Sequence, residues 1–196
     1  MSHQHDVDIL ATLEADSPHA AAFRNLSRRH WNNGALSSRD KHLVAVAAAQ
    51  VTRCAYCIEH HARIARRLGA SRDEVLAAAY ITAALETLLD GAIDIGADGA
   101  VVTQSPALGG LPVEHDRNLF VNTILGEPTL PLTLRYAIAA AVGLAKEREG
   151  LRLAFHQAAL RAGALPRALE EGYAVALVIR AGAVYAHTLG IARAFA

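Results

Sequence analysis

The sequence predicts an all-α fold. Hydrophobic residues make up 53% of the 196 residues but aromatic residues only 5%, and 42 residues are alanine. Alanine is the best helix former and a poor strand former, and apolar residues recur at helical spacing along most of the chain. A chain of this length can form one domain with a sizeable core. The composition also excludes a disordered chain and argues against a β-sandwich.

Local signals mark where several helices should begin and end. Ser37, with Asp40 three residues later, resembles a capping box ahead of an apolar run. Ser71 precedes two acidic residues, which suit a helix amino terminus, and Gly69 and Gly163 stand where helices should end. We predict helices over residues 8–15, 18–32, 37–53, 55–68, 72–90, 115–124, 131–147, 150–163 and 166–194, the last broken near residues 180–182.

Residues 91–112 form the clearest segment without a helical pattern. The segment contains five glycines and two prolines. A loop of this length in a compact domain is often a lid or a binding loop, but it can equally connect two halves of a fold. Both interpretations stay open at the level of sequence.

The chain also carries a weak internal repeat. When it is shifted by 94 residues, Lys41 falls on Arg135, and residues 67–70 fall on residues 161–164. The repeat predicts two similar helical units related by a pseudo-twofold axis, although an alanine-rich chain also produces chance matches. We therefore expect amino-terminal helices over residues 1–35, a helical repeat with its loop over residues 36–112, and a degenerate second repeat over residues 113–196.

Charge and hydropathy limit the classes of partner. The 19 basic residues equal the 19 acidic ones, so the sequence gives no reason to expect nucleic acid or an anionic membrane as a partner. Uninterrupted apolar stretches are far shorter than the roughly 18 residues of a membrane span. The amino terminus lacks the charge and the apolar segment of a signal peptide. We expect a cytoplasmic protein, whose two cysteines are reduced at rest.

Both cysteines of the chain lie in the segment CAYCIEHH, residues 54–61. On a helix, Cys54, Cys57 and His61 fall within about 60° of one another, whereas His60 points elsewhere and is the poorer candidate. A spacing of three residues also brings two Cα atoms within the range that a disulfide tolerates. Tyr56, between the cysteines, could line the site or pack in the core.

This spacing suits thiol redox chemistry. A helix start favours a thiolate at Cys54, and His61 is close enough to Cys57 to exchange a proton. One thiolate can attack an oxidant, the other thiol can resolve the sulfenic acid as a disulfide, and a reductant can reset the pair. The alternatives are two buried structural cysteines or a zinc site. Zinc is disfavoured because Cys54 and His61 would be about 10 Å apart along the helix axis, so we expect no metal and no cofactor.

Taken together, residues 36–50 (LSSRDKHLVAVAAAQ) and the CAYCIEHH segment resemble the alkylhydroperoxidase D / carboxymuconolactone decarboxylase superfamily. Its signature is CxxCxxxH between two helices. The resemblance covers residues 36–90 well and the second half weakly. It implies an all-α fold, reduction of peroxides by a thiol pair, and homo-oligomers. Broad apolar faces of alanine-rich helices also favour a homo-oligomer.

The resemblance assigns roles to individual residues. Cys57 would be the peroxidatic thiol, Cys54 would resolve it, and His61 would relay protons. The family places a glutamate twelve residues before the first cysteine, where this chain has His42. A histidine can also transfer protons near neutral pH, so the relay either survives in altered form or is broken. In the second repeat the counterparts of the four site residues retain none of this chemistry: Tyr136 for His42, Arg148 for Cys54, Leu151 for Cys57 and Phe155 for His61.

The leading functional hypothesis is a thiol-dependent hydroperoxidase or disulfide oxidoreductase, with a hydroperoxide as substrate and a thiol or small protein as reductant. One alternative is a lyase similar to carboxymuconolactone decarboxylase, which needs no cysteine pair. Another is a non-catalytic, redox-sensing helical protein. The cysteine pair argues against the lyase, but a sensor and a peroxidase both need a reactive thiolate, so the sequence does not separate them. Trp31 is predicted only to anchor the amino-terminal helices against the core.

Overall fold

A computed structural model of the chain describes residues 3–89, 92–105 and 107–195 and confirms the all-α class. Asp90, Gly91 and Pro106, which belong to or border the predicted 91–112 loop, lie outside the described residues. The elements in chain order are α1 (His3–Asp16), α2 (Pro18–Arg28), α3 (Ser38–Thr52), α4 (Ala55–Arg67), α5 (Arg72–Glu86), β1 (Ala92–Ile95), β2 (Val101–Gln104), α6 (Pro112–Gly126), α7 (Leu132–Ala145), α8 (Glu149–Arg161), α9 (Pro166–Ala186) and α10 (Thr188–Ala194).

Helices α3 and α7 form the centre of the fold and pack against each other. Residues 41–49 of α3 and 134–143 of α7 are buried without interruption. A helix that is apolar around its whole circumference must be covered on every side. Accordingly, α4, α5 and α9 cover α3, and α5, α8 and α9 cover α7. Alanine on both central helices allows the close approach that this arrangement requires.

The predicted helix starts at Ser37 and Ser71 are confirmed. The Ser37 hydroxyl accepts a hydrogen bond from the Asp40 backbone N–H at 3.1 Å. Ser71 and Glu74 form a complete capping box, since the Ser71 hydroxyl accepts from the Glu74 N–H at 3.1 Å and the Glu74 carboxylate accepts from the Ser71 N–H at 2.8 Å. Replacing such a cap by alanine costs about 1 kcal/mol of stability.

Several predicted helix boundaries are wrong. Helix α1 begins at His3 rather than at residue 8, and α6 begins at Pro112 rather than at residue 115. Helix α2 ends at Arg28 rather than at residue 32, and α5 ends at Glu86 rather than at residue 90. The long carboxy-terminal helix is interrupted at His187, not near residues 180–182. Gly182 lies inside α9, where a Cβ atom would stand 3.3 Å from the Phe23 ring. This glycine therefore permits close packing of α2 on α9 and does not break the helix.

The 91–112 segment contains a short antiparallel hairpin that the sequence did not reveal. Strands β1 and β2 pair from Ala92 with Gln104 to Ile95 with Val101. Four residues are too few for a clear alternation of polar and apolar side chains. Asn122 of α6 holds β2, because its carboxamide accepts from the Val101 N–H at 2.7 Å and donates to the Val101 carbonyl at 2.9 Å.

The element boundaries recur at the shift of 94 residues. The first residues of α2, α3, α4 and α5 are Pro18, Ser38, Ala55 and Arg72, and those of α6, α7, α8 and α9 each lie 94 positions later. The left-handed backbone of residue 53 (φ 54°) recurs at residue 147 (φ 58°), and that of residue 69 (φ 92°) recurs at residue 163 (φ 93°). The two halves thus share local geometry, while their origin by duplication stays a prediction.

One helical run meets the length and hydropathy criteria for a membrane span, contrary to the expectation from uninterrupted apolar stretches. It covers residues Pro166–Ala194, with a mean hydropathy of 1.5 over its most apolar window. Core helices of soluble proteins meet the same criteria. One face of this run packs against α3 and α7, where Val175, Ala176 and Ile179 are buried.

The close crossing of α7 and α8 depends on Gly143. A Cβ atom at this position would stand 2.6 Å from the backbone nitrogen and 2.8 Å from the Cα atom of Arg152. We expect Gly143→Ala to lower the free energy of unfolding by about 1–3 kcal/mol, because backbone atoms of α8 would have to move. Urea unfolding measures this change. Gly150→Ala in α8 is the control, since nothing lies within 4 Å of its Cβ position; an equal loss in both variants would contradict the argument.

Candidate functional site

The two cysteines lie at the turn between α3 and α4. Arg53 adopts a left-handed conformation and ends α3, and Cys54 is the amino-terminal cap of α4. The Sγ atom of Cys54 accepts a hydrogen bond from the Cys57 backbone N–H at 3.2 Å. A disulfide joins Cys54 and Cys57, whose Cα atoms are 5.2 Å apart. Both side chains are buried, so access to the disulfide depends on the cavity beside it.

A cavity of about 490 Å³ opens beside Cys57. Cys54 is not among the described residues that line it, so the two sulfurs differ in access. The wall on the α3–α4 side contains the predicted histidines and further aromatic side chains: Trp31, His42, Tyr56, His60 and His61. The opposite walls come from α1, α2 and α9 and are mainly apolar: Val7, Leu10, Phe23, Val178 and Ile179. The cavity therefore combines one disulfide sulfur, several imidazole side chains and apolar walls.

His42 and His61 form a directly hydrogen-bonded pair. Their Nδ1 atoms are 2.9 Å apart, and both side chains are buried. One Nδ1 must carry the proton while the other accepts it, so a single proton is shared between the two rings. Trp31 stacks on His42 at 4.7 Å and on His61 at 4.8 Å between ring centroids. The indole therefore holds both imidazoles in place from one side.

Burial keeps these imidazoles neutral. It lowers the pKa of His42 to about 4, and the nearby His60 and Arg67 act in the same direction. The pKa of His61 lies well below its usual value of 6.5, first because of burial and then because of His60 and His42. At neutral pH the two rings therefore carry no charge with which to attract a Cys57 thiolate.

His60 does not point away from the site, contrary to the helical-wheel prediction. It lines the same cavity and meets His61 edge to face, with ring centroids 5.1 Å apart. His60 lies about 60° from Cys57 around α4. Helix α1 covers this flank of α4, and its His3 contacts both Tyr56 and His60, so the cavity wall is wider than the predicted stripe. Burial lowers the pKa of His60 to about 4, and His3 is the second cause.

Three further contacts belong to residues outside the predicted site. Tyr56 lines the cavity and stacks on His3 of α1 at 5.1 Å. Burial raises the pKa of Tyr56 to about 12, so its hydroxyl stays protonated. Glu14 and Arg24, at the edge of the cavity, form an ion pair of 2.6 Å. Trp31 has the most central place, and only its position in the loop after α2, which the predicted helix over 18–32 obscured, allows it to reach both histidines.

The structure brings all four predicted site residues into one region. Cys57, His42 and His61 line the cavity, and Cys54 is bonded to Cys57. His42 stands where the resemblance would place a glutamate, and it contacts His61. With histidine at this position, the His61 ring still has a polar partner. No group of three or more histidine, cysteine or acidic side chains among residues 3–89, 92–105 and 107–195 could hold a metal ion.

The neutral histidines make stability depend on pH. In the unfolded chain a histidine binds a proton below about pH 6.5, whereas buried His42 does so only near pH 4, so the unfolded state binds more protons between these values. Acidification from pH 7 to pH 5 should therefore lower the free energy of unfolding by about 2 kcal/mol for this residue. We expect His42→Gln to reduce this loss in urea unfolding at both pH values. The exposed His115→Gln is the control, and an unchanged pH dependence in His42→Gln would contradict the assignment.

The family model described as "carboxymuconolactone decarboxylase family" matches residues 18–88. A Paracoccus denitrificans protein described as "Uncharacterized protein 4 in cox locus" is 45% identical over 62 residues, which are 32% of this chain and 56% of the relative. The match thus spans little more than half of that relative. No solved structure matches the chain. Residues 18–88, which contain the thiols, both site histidines and Trp31, carry the pattern of the carboxymuconolactone decarboxylase family, and this confirms the resemblance.

Proposed function

We propose that the protein is a thiol-dependent hydroperoxidase that uses Cys57, Cys54, His61 and His42. The observation that carries the proposal is a disulfide of which one sulfur, on Cys57, faces a cavity shared with a hydrogen-bonded histidine pair. A purely structural disulfide needs neither an adjoining cavity nor proton-transfer groups. The apolar walls give room for an organic hydroperoxide, and the reaction requires no cofactor.

The first step oxidises Cys57. Its thiol loses a proton to the neutral histidine pair, and the thiolate attacks the terminal oxygen of the hydroperoxide. The O–O bond breaks, the sulfur becomes a sulfenic acid, and the leaving alkoxide takes the proton back from the pair to form an alcohol. Burial leaves His42 and His61 unprotonated at neutral pH, so both are available to accept this proton, and their lowered pKa values favour its prompt return to the alkoxide.

The second step forms the disulfide present in the structure. The Cys54 thiolate attacks the sulfenic sulfur of Cys57, and the hydroxyl leaves with a proton as water. A thiol reductant, either a small molecule or a protein, then attacks the Cys57 sulfur, which faces the cavity. Cys54 is the better leaving group because its sulfur accepts the N–H of Cys57 at the start of α4, where a thiolate is stabilised. Two electrons pass from the reductant to the disulfide, and both thiols are restored.

A redox sensor is the second candidate, because it would use the same disulfide without repeated turnover. The cavity beside Cys57 favours the peroxidase over the sensor, since a sensor needs no binding space for an organic substrate. A lyase similar to carboxymuconolactone decarboxylase gains less support, because no step of such a reaction uses the cysteine pair. We place the protein in the cytoplasm, where thiol reductants are available, and propose no nucleic acid or membrane partner.

The roles of the two cysteines can be separated by substitution. We expect Cys57→Ser to abolish peroxide consumption, since the sulfur facing the cavity is lost. Cys54→Ser should consume one equivalent and stop at the sulfenic acid, because the resolving thiol is missing. Mass spectrometry after treatment with cumene hydroperoxide distinguishes one added oxygen from the loss of two hydrogens in the unsubstituted protein.

The unsubstituted protein with dithiothreitol should turn over many equivalents of this peroxide. His115→Ala replaces an exposed residue outside the cavity and is the control. This variant should turn over as many equivalents as the unsubstituted protein. Reversible oxidation without turnover would favour the sensor. Full activity of Cys57→Ser would refute the proposed mechanism.

An apolar stripe on the carboxy-terminal helices supports a homo-oligomer. Leu177, Val184 and Ile191 follow one another at intervals of seven residues and are 58%, 71% and 61% exposed. At this interval Leu177 and Val184 lie on one face of α9, as in coiled coils, and Ile191 extends the stripe onto α10. We propose that a second copy of the chain covers this stripe.

The stripe can be tested by adding a charge to its centre. We expect Val184→Glu to shift the protein toward the monomer, because a carboxylate would have to be buried at the interface. Light scattering at micromolar concentration measures the mass. Leu153→Glu, an exposed position on α8 away from the stripe, is the control. A monomeric unsubstituted protein, or no change in Val184→Glu, would contradict the interface.

A further inference from the structure

A second cavity, of about 410 Å³, lies between the hairpin and helices α6, α7 and α8. Its position in the second half overlaps in part with that of the thiol cavity in the first. Three residues that line it stand 94 positions after three residues that line the thiol cavity: Leu125 after Trp31, Tyr136 after His42, and Ala158 after Ile64. The second half therefore has a cavity near the counterpart position but no cysteines.

The second cavity contains a buried cation that has no carboxylate partner within the described part of the chain. Arg135 is 9% exposed and is the counterpart of Lys41. Lys41 pairs with Glu171 at 3.1 Å, but the residue 94 positions before Glu171 is Ala77. Arg135 donates to the Leu125 carbonyl, while its Nε is buried and has no hydrogen-bond partner among the described residues. A buried N–H group that donates no hydrogen bond is energetically costly, so a ligand with a hydrogen-bond acceptor would be stabilised at Arg135.

The other polar groups of the cavity add positive charge. Arg161 lines the cavity and donates to the Ile95 carbonyl at 3.0 Å. The Tyr136 hydroxyl lies 3.5 Å from its nearest acceptor, the Gly99 carbonyl. Asp98 is the acidic residue among the lining side chains, and its carboxylate accepts the Ala100 N–H at 3.0 Å. The described lining residues thus carry two guanidinium groups, buried on Arg135 and exposed on Arg161, against the one exposed carboxylate of Asp98.

We propose that this cavity binds a small organic monocarboxylate with an apolar body. A guanidinium matches the planar geometry of a carboxylate. A single negative charge on the ligand would balance the net positive charge of the lining residues, whereas the two charges of a phosphate dianion would be more than that. Leu125, Leu132 and Ala158 provide an apolar surface for the body of the ligand. The site lies on elements of the second half and takes no part in the thiol reaction, so it does not depend on the proposed peroxidase activity.

Benzoate is a suitable probe, and NMR titration of the ¹⁵N-labelled full chain is the measurement. We expect saturable shifts of amides in the hairpin, α7 and α8, but none with benzamide and none with inorganic phosphate at equal concentration. Arg161→Gln should weaken the dissociation constant for benzoate about tenfold or more. Arg72→Gln, which removes an exposed positive charge outside both cavities, is the matched control and should bind as the unsubstituted protein does.

A second variant tests the missing carboxylate directly. Ala77→Glu would place an acidic side chain at the counterpart of Glu171, where it should pair with Arg135 and abolish benzoate binding while the fold is kept, as the NMR spectrum shows. Shifts confined to the thiol cavity, equal binding of benzamide, or unchanged affinity in Arg161→Gln would each overturn the proposal. Binding of phosphate in preference to benzoate would also overturn it.

Discussion

The complete burial of α3 is the constraint on which the rest of the structure depends. This helix has no face toward solvent from residue 41 to residue 49, so every polar group that it carries needs a partner inside the protein. Lys41 finds the Asn32 carbonyl and the Glu171 carboxylate, and His42 finds His61. Buried Lys41 and His42 require polar partners. This requirement fixes the loop before α3, helix α4 and helix α9 as much as apolar packing does.

The same burial decides how a thiolate can be stabilised at this site. If the imidazoles carried a charge, they could hold a thiolate by direct attraction, but burial among apolar and aromatic groups removes that charge at neutral pH. The amino terminus of α4 can instead stabilise a thiolate on Cys54, whose sulfur accepts a backbone N–H. In the proposed reaction, the histidines move the proton of Cys57, and the helix terminus holds the negative charge of Cys54 when the disulfide is reduced. His42 lies on α3, while His61 and the helix terminus belong to α4.

Much of the fold and the centre of the site could be predicted from the sequence because both depend on spacing within single helices. The helix starts at Ser37 and Ser71 follow from local capping hydrogen bonds. The clustering of Cys54, Cys57 and His61 follows from their spacing around one helix. Trp31 and His60 could not be placed in this way. Their roles depend on where a loop crosses the α3–α4 pair and on which helices cover one flank of α4, and a helical wheel contains no information about neighbouring elements.

The two halves show how one geometry can carry different chemistry. In the first half, α9 supplies Glu171, which neutralises the buried Lys41, and the adjoining cavity is left to thiols and neutral histidines. In the second half, α5 supplies Ala77 at the counterpart position, and the buried Arg135 keeps an unfilled donor. Because a buried cation without a counter-ion is costly, the proposed anion site of the second half rests on the absence of a counterpart to the Glu171 carboxylate. Two pairs of helices with the same local geometry can thus differ in chemistry through a few buried positions.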